Sequence, residues 1–248
     1  MAGMKRARGY LVVLVDRQAS RLVRARQDRM DEKPGPADPV ERQVDTDVEV
    51  GSWERRRHEA FLRHLRRVAA AVSVEADREP VEAVVAGGPP EAVEGLTQLL
   101  PPGLSKLVVP QGGLTIRAGR AELAGVLAEV DRQLEERHQD AVCDLLAERI
   151  GTGRGAAGLE AALEALADGR VATLVVKPGY SAVGARCPAC GHLGVGTRPC
   201  PRCGSPTEAV EDVVDAAVGQ ALAQDATVEF CSSARLDELG GVGVVERY

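Results

Sequence analysis

Aromatic side chains are scarce: one Trp, three Tyr and two Phe make up only 2% of the 248 residues. Cores must therefore be built from Leu, Val, Ile and Ala, and aromatic base-stacking platforms are all but excluded. No apolar run approaches the ~20 residues a membrane span needs, and the opening MAGMKRARGYLVVLVD lacks a small-residue cleavage site after its short apolar stretch. That stretch reads as a strand, and the expectation is a cytoplasmic protein with no membrane segment. Disulfides are not expected either. Four of the six cysteines fall within 17 residues as two CxxC pairs, which suits metal binding in a reducing compartment better than cross-linking in a secreted chain.

Charge is uneven. Residues 1–67 carry 16 Lys and Arg against 11 Asp and Glu, whereas the remainder carries 15 against 26, within a net charge of −6. A basic front and an acidic back suggest a polyanionic partner for the front. A merely arginine-rich, solvated surface accounts for the same count.

Periodicity gives an α/β chain. Tyr10–Val15 and Ser20–Arg26 read as a hairpin. The proline-rich Lys33–Pro39 lacks amide donors and reads as a loop, followed by an alternating strand at Val44–Val50. From Ser52 the pattern turns helical, with Trp53, Phe61, Leu62, Leu65, Val68 and Val72 on one face and arginines on the other. Strands at Val81–Ala86 and Lys106–Pro110 flank a helix at about Glu91–Leu100. Leu123, Leu127, Val130, Leu134, Ala141 and Leu145 then define a long helix over Arg120–Ile150 that carries the chain between domains 1–134 and 135–248. Beyond it, Ala156–Ala167 is expected as helix, Gly169 as its stop, Val171–Val176 as a buried strand, and a helix and two strands after the cysteines.

The segment CPACGHLGVGTRPCPRCG, within residues 185–206, sets two CxxC knuckles nine residues apart. Four thiolates from Cys187, Cys190, Cys200 and Cys203 would close a tetrahedral zinc shell with no position left for water, so the expected Zn²⁺ is structural. A redox dithiol pair is the competing reading. His192 reads as a solvated loop residue, and Cys143 and Cys231 as buried thiols.

The stretches YLVVLVDRQASRLV, GLEAALEALADGRVATLVV, the paired cysteines, TEAVEDVVDAAVGQALAQDATVEF and ELGGVGVVERY together resemble the middle and third domains of archaeal and eukaryotic class I peptide-chain release factors. Pelota and a bacterial release-factor-like branch that includes ribosome hibernation factors share them. The resemblance implies an RNase-H-like mixed-sheet domain, then an α/β/α domain resembling the kink-turn-binding ribosomal protein fold, with an inserted zinc ribbon. Two departures qualify it. The Gly-Gly-Gln loop that serves peptidyl-tRNA hydrolysis in the family is missing, the matching junction reading Val50, Gly51, Ser52, Trp53, Glu54. The stop-codon-reading domain has no counterpart either, so decoding by this chain is not expected.

The helix after that junction bears Arg55, Arg56, Arg57, His58, Arg63, His64, Arg66 and Arg67, enough cations to neutralise several phosphates of an RNA backbone. A solvated face paired to Glu54 and Glu59 is the plainer alternative; the resemblance favours rRNA or tRNA contact through Gly51, Ser52, Trp53, Arg55, Arg56, Arg57, Arg63, Arg66 and Arg67. Trp53, a lone aromatic at helical spacing, is expected to staple the helix to the sheet. Asp16 reads as a turn residue rather than one of a set of nuclease carboxylates, and no catalytic residue is nominated. The resemblance implies a non-catalytic ribosome-associated factor binding at or near the A site in hibernation or rescue, whose third domain meets a translational GTPase or stalk protein. A peptidyl-tRNA hydrolase using the Gly51–Arg57 loop and a zinc-ribbon interaction module outside translation are the rivals.

Overall fold

The structure, a computed structural model, describes residues 8–26, 29–37, 50–196 and 199–248. The chain divides between Asp131 and Arg132 into two compact units.

The first unit opens with β1 (Gly9–Val15) and β2 (Ala19–Arg26), antiparallel from Gly9↔Arg26 to Val15↔Ser20. The turn between them is an Asx turn: Asp16 Oδ1 accepts from the amides of Gln18 at 2.9 Å and Ala19 at 2.7 Å, so Asp16 is spent on the backbone. β3 (Arg29–Ala37) pairs with β2 and includes Lys33, Pro34, Gly35 and Pro36. This corrects the loop expected from Lys33 onward. Its prolines are tolerated because β3 is the outermost strand, where one row of amides has no ladder to join. The expected strand at Val44–Val50 lies outside the described residues except for Val50, which begins α1 (Val50–Arg78).

β4 (Ala83–Gly87), α2 (Pro90–Leu99), α3 (Pro102–Ser105) and β5 (Val108–Gln111) follow. The sheet order is β3-β2-β1-β4-β5, with β4 parallel to both β1 and β5. β1 is buried on both faces. Leu11, Val13 and Val15 pack with Leu65, Val68 and Val72 of α1 and Ala92, Val93 and Leu96 of α2. The alternate residues Tyr10, Val12 and Leu14 are buried on the other face. There the Tyr10 hydroxyl donates to Asp131 Oδ1 at 2.5 Å, so the first half of α4 (Arg120–Gly151) lies on that side. Its buried Leu123, Leu127 and Val130 have the helical spacing the sequence predicts. Each such side chain contributes about 1.5–3 kcal/mol of transfer free energy.

In the second unit α4 continues to Gly151. Leu146 is fully buried and Leu145 is 41% exposed, correcting the expected stripe by one position; seven-residue counting drifts against 3.6 residues per turn over so long a helix. β6 (Gly155–Ala157) replaces the first residues of the expected helix, which starts instead at α5 (Leu159–Ala167). The correction has a reason in pairing: Ala157 and Gly155 are opposite Gly243 and Val245. β7 (Val171–Val176), β8 (Gly184–Arg186), β9 (Leu193–Val195), β10 (Glu208–Val210), α6 (Val213–Ala223), β11 (Thr227–Phe230), α7 (Ala234–Glu238) and β12 (Val242–Glu246) complete the chain.

The four-stranded sheet runs β11-β7-β12-β6. Alternation along β7 and β12 sends Leu174, Val176, Val242 and Val244 toward α5 and α6, and Val175 and Val245 toward α4 and α7. The result is a three-layer α/β/α arrangement. Gly169, at φ +68°, is the left-handed stop after α5. Among the described residues no helix is long and apolar enough to cross a membrane.

Candidate metal centre and nucleic-acid interface

β8, β9 and β10 form a separate antiparallel sheet in the order β10-β8-β9. Cys187 and Cys190 lie in the β8–β9 turn, and Cys200 and Cys203 between β9 and β10. The two knuckles have the same geometry. Gly191 N donates to Cys187 O and Gly204 N to Cys200 O, both at 2.8 Å. Cys187 N donates to His192 O, and Cys200 N to Ser205 O, again both at 2.8 Å. Gly191 and Gly204 take φ of +76° and +72°, which a side chain would resist.

All four sulfurs fall within 4.8 Å of one another, with Cys187–Cys203 and Cys190–Cys200 at 3.5 Å. Thiolates at the usual ~2.3 Å from one tetrahedral Zn²⁺ are about 3.8 Å apart, so the cluster has the size and the donor set for that ion. Hydrogen bonds from the Ser205 side chain and backbone, and then from Cys187, hold the Cys203 thiol below its ordinary value, whereas the Cys190 thiol of the same cluster is pushed up, so the four sulfurs share their protons unevenly.

The cluster is tied to the α/β/α layers. Leu193 belongs to the core beneath α5 and α6, and Arg202 pairs with Asp168. A β-carbon on Gly184 would fall 2.5 Å from Val213 Cβ, so the small sheet and α6 approach too closely for any side chain there. His192 is 9% exposed, not the solvated residue expected, and its backbone carbonyl accepts from Cys187 N.

The nucleic-acid candidates divide differently. Gly51 and Ser52 belong to the first turn of α1, so the segment expected as a Gly51–Arg57 loop is helical. Residues 53–59 are exposed on every side, and burial begins only at Ala60 and Phe61. Arg55, Arg56, Arg57, Arg63, Arg66 and Arg67 are all exposed. At 3.6 residues per turn, Arg56, Arg63 and Arg67 share a stripe about 40° wide, with Arg55 and Arg66 on one flank. Arg57 is on the other flank with Trp53, 4.4 Å from its ring centroid. Trp53 is 39% exposed, more open than an indole at a core-facing position would be. The i,i+4 spacing of Trp53 and Arg57 was the signal for their contact. His64, expected among the surface cations, is fully buried.

Below this end of α1 a groove of about 820 Å³ opens toward α2, lined in part by Arg57, His58, Phe61 and Arg63, and by Arg17 paired to Glu91 at 2.7 Å.

The model of the bacterial archaeo-eukaryotic release factor family 10 matches residues 3–135. The chain belongs to this family. The family 10 chain also resembles solved structures over nearly its whole length. Ribosome-bound archaeal Pelota, from a model with ABCE1, aligns with all of it and with 64% of that chain, at 20% identity and a TM-score of 0.57. Saccharomyces cerevisiae Dom34, described as a translation termination-like factor involved in RNA quality control and interacting with Hbs1, aligns with 96% of it at 10% identity and a TM-score of 0.53. At such identities the likeness is one of fold. The chain spans just under two thirds of the Pelota and Dom34 chains, 64% and 63%. No curated protein matches it.

Proposed function

We propose that the family 10 chain is a ribosome-associated translation factor that binds at or near the A site without catalysis, guarding idle ribosomes in hibernation. Assistance to stalled ribosomes is the neighbouring reading within the same class. The exposed arginine face of α1, in a release-factor family chain that has no Gly-Gly-Gln, carries this proposal. Release chemistry has lost its characteristic residues there, while cations suited to RNA phosphates remain.

The sheet order β3-β2-β1-β4-β5 supports assigning the first unit as the family's RNase-H-like middle domain. The α/β/α layers of the second support its reading as the third domain, the kink-turn-binding type of fold, with β8–β10 as an inserted zinc ribbon. Cys187, Cys190, Cys200 and Cys203 would hold one structural Zn²⁺, which when bound supplies four bonds that fix the two knuckles. With the chain's acidic charge in this half, the second unit would face a protein such as a translational GTPase or stalk component. Work on the ribosome would place the chain in the cytoplasm.

Sedimentation with vacant and with translating ribosomes over a salt series tests the proposal. Retention with the vacant pool, weakening as salt rises, is expected. Arg56→Gln, Arg63→Gln and Arg67→Gln should each lower the salt slope by about one. Retention only on stalled complexes would move the assignment to rescue, and failure to bind either pool at low salt would end it. Peptide release from peptidyl-tRNA–ribosome complexes, lost on changing Ser52 or Arg55, would replace it with a hydrolase.

A further inference from the structure

We propose that Trp53, with Arg57 laid over its ring, is a stacking site for one unpaired nucleobase of single-stranded RNA. The inference rests on the RNA reading of α1 and goes beyond it: the arginines grip phosphates, whereas this site would take a base.

Three observations converge on Trp53. The first is its place: residues 53–59 are all exposed, and Trp53 is not among the residues of the core cluster beneath α1. The second is its state. Trp53 keeps 39% of its surface open in a chain with no other Trp and only 2% aromatic residues. That scarcity argues against a platform of several rings, but one ring suffices for one base. The third is the Arg57 guanidinium, 4.4 Å from the ring centroid. Its attraction to the π face restricts the indole to fewer orientations before any ligand arrives, which lowers the ordering cost of binding. A planar cation beside a planar ring is also the pair of surfaces on which unstacked bases settle.

The neighbourhood selects the ligand. Arg56 lies three residues beyond Trp53 on the adjoining stripe of α1, and Arg63 two turns further along that stripe. A strand whose phosphates track these cations would bring its bases within reach of the indole. Duplex RNA cannot use the site, since its bases are already stacked on one another. An apolar peptide would gain nothing from so many cations, so a protein occupant is the less favoured outcome.

As the only tryptophan, Trp53 makes intrinsic fluorescence a probe of this one position. The full chain is titrated with a 12-nucleotide oligoadenylate, an abasic strand with the same number of phosphates, and a duplex of equal length. Oligoadenylate should quench the fluorescence and bind roughly tenfold more tightly than the abasic strand. That preference should vanish in Trp53→Ala, persist in Trp53→Phe followed by anisotropy of labelled RNA, and leave the salt slope of Trp53→Ala unchanged. Equal affinity for oligoadenylate and abasic strand, with no quenching by either, overturns the stacking site and leaves the arginine reading standing. Binding of no oligonucleotide also overturns it, while the ribosome reading is decided separately by sedimentation. Quenching by vacant ribosomes but by none of the oligonucleotides would mean that a ribosomal protein covers the ring, and rejects the nucleobase.

Discussion

Lys33 of edge strand β3 holds Glu75 of α1 through both carboxylate oxygens, with Nζ 2.9 Å from each. Arg78 adds a contact at 2.7 Å, and Arg24 donates to the Glu75 backbone carbonyl. The Glu75 side chain is only 10% exposed, so the strand is fastened to the helix by a largely buried charge.

The first prediction follows from that fastening. The hydrogen bond from Lys33, aided by the charges of Arg78 and Arg24, holds the Glu75 carboxyl below its ordinary 4.5. A depressed carboxyl contributes stability that is complete above the unfolded value and lost as pH falls through the folded one. Glu75→Gln should cost on the order of 1 kcal/mol at pH 7, discounted because Lys33 is half exposed. The gap between wild type and variant in urea unfolding should close as pH falls from 4.5 through the depressed folded value; an unchanged gap at low pH would show that the carboxylate is not responsible.

A second prediction concerns Cys143 of α4 and Cys231 after β11. Their sulfurs are 3.5 Å apart and each residue is 1% exposed. Burial pushes the Cys231 thiol up to about 11 from an ordinary 9. The folded chain therefore keeps a proton that the unfolded chain has released, so stability is complete below 9 and falls as pH climbs toward 11. Both thiols should alkylate slowly at pH 8 until the protein is unfolded. Cys231→Ala should flatten the alkaline part of the stability–pH curve relative to wild type, and parallel curves for the two proteins would refute the assignment.

Much of this architecture is legible in local patterns. The β-branched run Val171–Val176 is the strand β7 residue for residue, and the long helix ends one residue from its expected limit at Ile150. The four-cysteine cluster follows from spacing alone. The rest depends on partners distant in sequence. Lys33–Ala37 becomes a strand only because β2 offers it a ladder. Cys143 and Cys231, 88 positions apart, have no local signal of their contact. The apolar spacing from Trp53 to Val72 identifies a helix face but not where the sheet beneath it stops, so Trp53 reads as core and is exposed. His64 is the converse, a polar residue beside Leu65 that is taken into the interior.

The last prediction tests the cysteine cluster. Native protein should carry one zinc per chain by native mass spectrometry, and its four cluster thiols should resist a thiol reagent until a chelator is added. Because Leu193 and Ala185 of the small sheet are 3% and 2% exposed, loosening the knuckles should propagate to the packing of α5 and α6. Chelation should therefore lower the melting temperature of the second unit rather than free an independent flap. Acid should weaken zinc retention, since protons compete for the same sulfurs. Replacing Cys187 and Cys200 with Ser should abolish both the metal and its contribution to stability. If that double variant melts metal-free at the wild-type temperature, the ion has no structural role, and a dithiol that cycles between reduced and oxidised forms becomes the better account of the two CxxC pairs.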